Sequence, residues 1–190
     1  MATKDQSATQ VKTGIVRLSY ANLDKPRAAE DGSEPKYGAA ILIPKSDKAT
    51  VKAIQVAIAA AEEDGKKNLS KWGGKLPKKY ENPLKDGDEK DGHDEYADHW
   101  YVSAYSKTKP GVVGLERDEN NKLKALADDA VYSGVFVRAS INFYAYDKGT
   151  MGVACGLNNV QKVKDGPKLA GKSDAASDFD DDFTYEDDDL

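Results

Sequence analysis

The chain has 190 residues, 39% hydrophobic and 32% charged, with a single cysteine, which is enough for one ordinary domain with a real core and flexible ends. No apolar run approaches the ~18 residues that span a bilayer, the polar residues 1–10 lack a signal-peptide core, and Cys155 alone leaves no disulfide and no cysteine-based metal site, so the protein is expected to remain in the cytoplasm where it is made. The net charge of −5 is unevenly spread: nine of the 33 acidic residues fall in 174–190, which holds no Lys or Arg, so residues 1–173 carry a net +4. A basic body with an acidic tail points to a nucleic-acid or other polyelectrolyte partner.

Residues 1–10 are expected to be disordered. Residues 13–20 then read as a first strand, with Val16, Leu18 and Tyr20 on one face and Ile15, Arg17 and Ser19 on the other. Residues 22–35, with Asp24, Pro26, Gly32 and Pro35, read as a loop. Residues 37–43 are apolar on both faces, which suits a strand with a helix packed over it. That helix is the next element: Ser46 or Asp47 can cap it, and Val51, Ile54, Ile58 and Ala61 recur at helical spacing until Gly65.

Residues 65–80 carry Lys66, Lys67, Lys71, Lys75, Lys78 and Lys79, no acid, and Trp72 in their midst. A lysine-rich flexible loop around a ring suits a phosphate backbone and its bases; the plain alternative is a solvated linker whose Trp72 plugs the core edge. Residues 83–96 are acidic and glycine-rich. A calcium loop starting at Asp86 fails, because Lys90 stands where an oxygen ligand is needed and Asp91 where glycine is. His93, Asp94, Asp98 and His99 lack a firm ligand spacing, and no metal is assigned to them.

Residues 98–106 return to alternation, with Trp100, Val102 and Ala104 inward and Tyr101, Ser103 and Tyr105 outward, followed by Lys107 and Lys109. A short strand at Val112 and Val113, a turn at 118–121 and a short helix or irregular segment at 123–129 complete the middle of the chain. The clearest stretch follows. From Val135 to Ala145 the odd residues are apolar, whereas the even set is Phe136, Arg138, Ser140, Asn142, Tyr144 and Tyr146. Rings beside an arginine and an amide are an unusual choice for a merely solvated face. Asp147-Lys148-Gly149 reads as a tight turn into a second strand in which Met151, Val153, Cys155 and Leu157 face the core. Pairing Tyr146 with Thr150 puts Tyr144 opposite Gly152 and Asn142 opposite Ala154, large rings beside nearly bare backbone. Residues 158–168 are expected to leave the sheet, and 167–190 to form a flexible linker and tail.

No phosphate-cradling glycine motif, catalytic triad context or cofactor signature is present, and no cofactor is expected. Short strands, one main helix and an aromatic, basic sheet face fit a mainly β, OB-type barrel over residues 11–166. The candidate DNA-binding residues are Phe136, Arg138, Asn142, Tyr144, Tyr146, Tyr101, Tyr105, Lys107, Lys109, Lys66, Lys67, Lys71, Trp72 and Lys75. Rings would stack on bases while lysines neutralise phosphates.

The runs at 16–23 (VRLSYANL), 37–47 (YGAAILIPKSD), 83–88 (PLKDGD), 132–134 (YSG) and 142–163 (NFYAYDKGTMGVACGLNNVQKV) resemble a phage family first catalogued as a domain of unknown function and now associated with single-stranded DNA-binding proteins. The resemblance covers most of residues 11–166. It implies an OB-fold that coats single-stranded DNA during phage replication or recombination, in the host bacterial cytoplasm. The acidic tail is similar to those with which such proteins recruit replication partners, making Phe179, Asp180, Asp181, Asp182, Phe183, Tyr185, Glu186, Asp187, Asp188 and Asp189 the partner-binding candidates. It departs from the usual pattern by ending in Asp189-Leu190 in place of an aromatic residue. Read from its residues alone, the tail also imitates a single strand, carboxylates with rings between them, and would compete for the DNA groove. Two other functions stay open: a metal-dependent nuclease or recombination enzyme built on the 86–98 loop, and an interaction module acting through the tail. Monomer and dimer are equally compatible with the sequence.

Overall fold

The computed structural model describes residues 7–28 and 32–169. In chain order the strands are β1 (Gln10–Lys12), β2 (Val16–Arg27), β3 (Lys36–Pro44), β4 (Lys85–Asp86), β5 (His99–Ser106), β6 (Gly111–Arg117), β7 (Leu123–Ala125), β8 (Phe136–Tyr146) and β9 (Gly152–Lys164), with helix α1 (Lys48–Asn68) between β3 and β4. β2 pairs antiparallel with β3, β3 with β5, and β8 with β9; β5 and β9 run parallel, and β8 returns to β2 through Val16 opposite Val137 and Arg17 opposite Phe136. That circuit closes a five-stranded barrel and leaves those strands few free edges. β1 adds to the free part of β8, and β6 with β7 extends the far end of β9.

Alternation builds the interior as expected. Val135, Val137, Ala139, Ile141 and Phe143 are buried along β8, as are Ile41 and Ile43 on β3, Val102 and Ala104 on β5, and Val153, Cys155 and Leu157 on β9. Each of the larger side chains contributes roughly 1.5–3 kcal/mol when fully buried. Asp47 caps α1, its carboxylate accepting from the Thr50 N–H, and Val51, Ile54, Ile58 and Ala61 form the buried stripe. The helix rests chiefly on β8, with β1 and β9, whereas the second face of β3 is covered by Tyr96, which buries itself against Ala40 and Leu42. The helix thus does not account for the apolar outer face of β3; a ring from the acidic segment does.

Several expected boundaries move. β2 runs on to Arg27 through the expected loop; Pro26 falls where the register with β3 is irregular and where β8 no longer pairs, so its missing N–H breaks no recorded ladder bond. Residues 123–129 hold β7 and a single 3-10 turn at Asp128–Ala130 in place of a helix. β9 does not leave the sheet at 158 but continues to Lys164, because Asn159, Val160 and Gln161 pair with β6. The hairpin keeps the expected parity with a register two residues longer: Tyr146 faces Gly152, Tyr144 faces Ala154 and Asn142 faces Gly156. The loop is therefore 147–151, Gly149 supplies the left-handed turn position with φ 73°, and Met151 is exposed instead of in the core. The expected linker is docked at its start: the Pro167 carbonyl accepts from Arg17, and the Leu169 N–H donates to the Ser133 carbonyl.

Candidate nucleic-acid interface

Two half-exposed rings define the surface, Tyr105 on β5 (52%) and Tyr144 on β8 (47%). Between them the backbone is nearly bare. Gly38, Tyr105, Gly156 and Asn142 form one continuous cross-strand row over β3, β5, β9 and β8. A Cβ on Gly38 would stand 2.5 Å from Tyr105 Cδ1, and one on Gly156 would stand 2.6 Å from Asn142 Oδ1. Both glycines are needed because their neighbours' side chains lie over them. Lys107, two residues beyond Tyr105, lies near Tyr144 and pairs with Glu34 at 2.8 Å on the β2–β3 connection. Those contacts hold the Lys107 ammonium above its ordinary pKa, chiefly through the bond to Glu34.

The lysine-rich segment reaches the same hairpin from the other side. Lys71 Nζ donates to the Asp147 carbonyl at 3.0 Å, and Trp72 Nε1 donates to the Tyr146 carbonyl at 3.2 Å. Trp72 itself is only 5% exposed, its ring seated where Gly65 of α1 has no side chain: a Cβ there would lie 2.5 Å from Trp72 Cζ3. The ring is thus a core plug, not the free stacking platform that the lysines around it suggested. Nor is the segment one flexible loop: α1 extends to Asn68, and a 3-10 turn covers Ser70–Trp72. Lys66 bonds Glu63 at 2.7 Å, while Lys67 and Lys75 are exposed.

The remaining candidates scatter. Phe136 lies between two cations, the Arg17 guanidinium at 5.4 Å and the Lys164 ammonium at 4.7 Å from its ring centre. Arg138 donates from Nε to the Thr13 carbonyl at 3.3 Å, six residues and so about 20 Å of strand from Tyr144. Tyr146 has its ring over Gly152. Lys109 pairs with Asp128. Tyr101 packs edge-on to Tyr96 at 5.0 Å. Phe136 and Arg138 thus have their partners at the opposite end of β8 from Tyr144. The tail candidates lie outside the described residues.

Sequence reasoning missed a groove of about 520 Å³ that continues from Tyr105 across β3 to β2, lined by Ala40, Ser103, Tyr20, Lys36 and Lys90 among others. Tyr20, which alternation puts on one face with Val16 and Leu18, is 46% exposed while those two are buried, because its backbone is left-handed, φ 49°. Only the local backbone turns it out, and no glycine or asparagine at that position advertises it.

The acidic segment is occupied internally. Lys45 Nζ contacts Asp86 Oδ1 and Asp88 Oδ2, both at 2.6 Å, and Asp88 Oδ1 accepts from the Asp98 N–H at 2.7 Å. The Lys45 bonds, first in weight for each, hold both carboxyls below the ordinary carboxylate range. No group of three or more potential metal ligands occurs among the described residues. Burial pushes the Cys155 thiol well above its usual range, so it is no nucleophile.

The barrel circuit, with parallel β5 and β9 and an exposed β3–β5 face carrying rings, makes this an OB-fold protein, a class whose second and third barrel strands and flanking loops bind oligonucleotides or oligosaccharides. The family described as Enterobacter phage Enc34, ssDNA-binding protein, matches residues 9–190, and the chain belongs to that family. It is 34% identical over 188 residues to a putative protein p50 of Acyrthosiphon pisum secondary endosymbiont phage 1, covering 95% of this chain and 98% of that one. The single-stranded DNA-binding protein of bacteriophage Enc34, solved in complex with single-stranded DNA, superposes with a TM-score of 0.70 at 28% identity, over 86% of this chain and 91% of that one. The single-stranded DNA-binding protein gp2.5 of bacteriophage T7 shares the fold, with a TM-score of 0.57 at 17% identity over 93% and 97% of the two chains. Among the described residues no helix is long and apolar enough to cross a membrane.

Proposed function

We propose that this protein binds single-stranded DNA without catalysis and with little regard to sequence, coating it during phage replication or recombination. The observation that carries the reading is the row Gly38, Tyr105, Gly156 and Asn142, with Tyr144 beside it: two exposed rings over bare backbone, flanked by Lys107 and Lys71. Every base has a π-face, so stacking of this kind is sequence-tolerant, while the lysines answer phosphate charge by releasing counterions. A nuclease on the 86–98 loop is disfavoured because Asp86 and Asp88 already hold Lys45. The acidic residues of 174–190 act in this reading as a displaceable competitor for the groove and, once freed, as a docking segment for replication or recombination proteins.

Fluorescence anisotropy with labelled oligo-dT, the matching duplex, and Mg²⁺ present or absent tests the core of the proposal. Tighter binding to the single strand, steep weakening with salt and intact DNA in Mg²⁺ are expected. Equal affinity for duplex, or cleavage of the oligonucleotide, would overturn it.

A further inference from the structure

We infer that the DNA path continues beyond Tyr105 onto β2, where Tyr20 is a third stacking platform and Lys90 is the phosphate contact beside it. The inference rests on the single-stranded-DNA reading and extends it to residues on the far side of the groove. Tyr20 carries the first part of the argument. A bulky aromatic residue with positive φ is a costly conformation, and a glycine or asparagine would hold the same turn with less strain. The strain places the ring outside the core, half-exposed, on the wall of the groove that Tyr105 also lines. It lies two strand spacings from Tyr105, roughly 10 Å at ~4.8 Å per strand, as Tyr144 does on the other side. Backbone strain kept in place by a ring that packs into no core is what a binding platform requires.

Lys90 carries the second part. Its ammonium lies over three rings, 4.3 Å from the centre of Tyr96, 5.1 Å from Tyr101 and 5.5 Å from Tyr20, and no ion pair on it occurs among the described residues. Lysines 45 and 107 nearby each hold a carboxylate; Lys90 offers its charge without one to displace. The rings orient the ammonium and leave its donors for an anion. The segment that bears it is anchored at both ends of the acidic loop, by the Lys45 pairs and by the fully buried Tyr96, so the charge is delivered to a fixed place. His93 also touches Tyr20: its ring meets Tyr20 edge-on at 5.9 Å, with Nε2 3.4 Å from the Tyr20 hydroxyl.

The test compares full-length wild type, Y20N, Y20F and K90M for oligo-dT affinity across salt, with thermal midpoints alongside. Asparagine tolerates the left-handed backbone, so Y20N should keep or raise the midpoint while affinity falls on the order of tenfold, and Y20F should bind as wild type does. K90M keeps the aliphatic stem on the rings but removes the charge; the slope of log affinity against log salt should become shallower by about 0.7. Unchanged affinity in Y20N, with or without a lower midpoint, would overturn the role of Tyr20, and an unchanged salt slope in K90M would overturn that of Lys90. Wild type binding normally in those cases means that only the extension has failed, whereas wild type failing to bind oligo-dT removes the underlying reading.

Discussion

Tyr105 lies across Gly38: a Cβ on residue 38 would stand 2.5 Å from the ring's Cδ1 and 2.8 Å from the Ala104 carbonyl oxygen. The two residues are direct partners on β5 and β3, so the ring rests on its neighbour's backbone and offers its outer surface to solvent. Y105A should therefore change stability by only ~0.5 kcal/mol yet weaken single-stranded DNA binding by about 1–3 kcal/mol. G38A should do both kinds of damage, costing about 1–3 kcal/mol of stability by overpacking and weakening binding although no contact residue is lost. Oligo-dT titration beside thermal melts reads both, and a G38A protein that binds normally would show that the tilt of the Tyr105 ring is immaterial.

Trp72 makes the opposite case, a ring that matters to the fold alone. W72A should cost about 3–5 kcal/mol of stability, while W72F, which keeps most of the plug, should bind oligo-dT with wild-type affinity. G65A should destabilise as well: alanine gains up to ~1 kcal/mol of helix propensity, but its methyl would press on Trp72 Cη2 at 2.7 Å and on the Ala145 Cβ at 2.8 Å. A melting midpoint above wild type in G65A would mean that the Trp72 contact gives way easily.

The contrast between those two rings shows where sequence reading reaches and where it stops. Alternation identified the buried residues of β8 and β5 because period two is imposed by the backbone itself. It grouped Tyr20 with Val16 and Leu18, which are buried, but one left-handed residue turns the ring to solvent, and a tyrosine gives no sign of that conformation. Trp72 amid lysines is ambiguous in sequence, and only the vacancy at Gly65, seven residues earlier, decides between solvent and core. Tyr96 sits in a stretch whose composition says loop, yet its ring is fully buried on Leu42 and Ala40, a long-range contact that no local pattern encodes.

The two ends of β8 should separate in function. Tyr144 adjoins the Tyr105 row, whereas Arg138, six residues back along the strand, donates to the Thr13 carbonyl. Y144A should weaken oligo-dT binding by roughly 1–3 kcal/mol, and R138A should have a clearly smaller effect at the same salt. Equal losses in the two variants would place the strand along the whole of β8 instead of across the β3–β5 face.

Lys45 predicts a pH signature. Asp86 and Asp88 are held below their ordinary pKa by Lys45 in the fold, so their contribution is complete above the unfolded carboxylate value of ~3.9 and is lost as pH falls through their folded values. Lys45 is held above its ordinary value, chiefly by its bond to Asp86, so its contribution is complete below ~10.4 and lost as pH rises through the folded value. K45M should consequently lower the melting midpoint near neutrality and flatten its decline on acidification. Parallel midpoint curves for wild type and K45M, from about pH 7 to about pH 2, would show that the pairs contribute nothing to the fold.

The last prediction concerns residues 174–190, which lie outside the described residues. Nine carboxylates spaced by Phe179, Phe183 and Tyr185 carry both features that the groove is proposed to select, negative charge and rings. The described chain ends close to that groove. Leu169 packs against the cluster of Ala40, Leu42 and Tyr96, and both Ala40 and Tyr96 line the groove wall. A segment tethered so near its target acts at high effective concentration, and even weak attraction then gives substantial occupancy. Deleting residues 174–190 should raise affinity for oligo-dT, most at low salt where charge attraction reaches furthest, and should bring the salt dependence closer to that of a simple basic groove. The same acidic peptide added in trans to the truncated protein should lower affinity again, but only at far higher concentration. Binding curves that superpose with and without the segment from low to high salt would leave it no part in competition and restrict it to solvation or to docking other proteins.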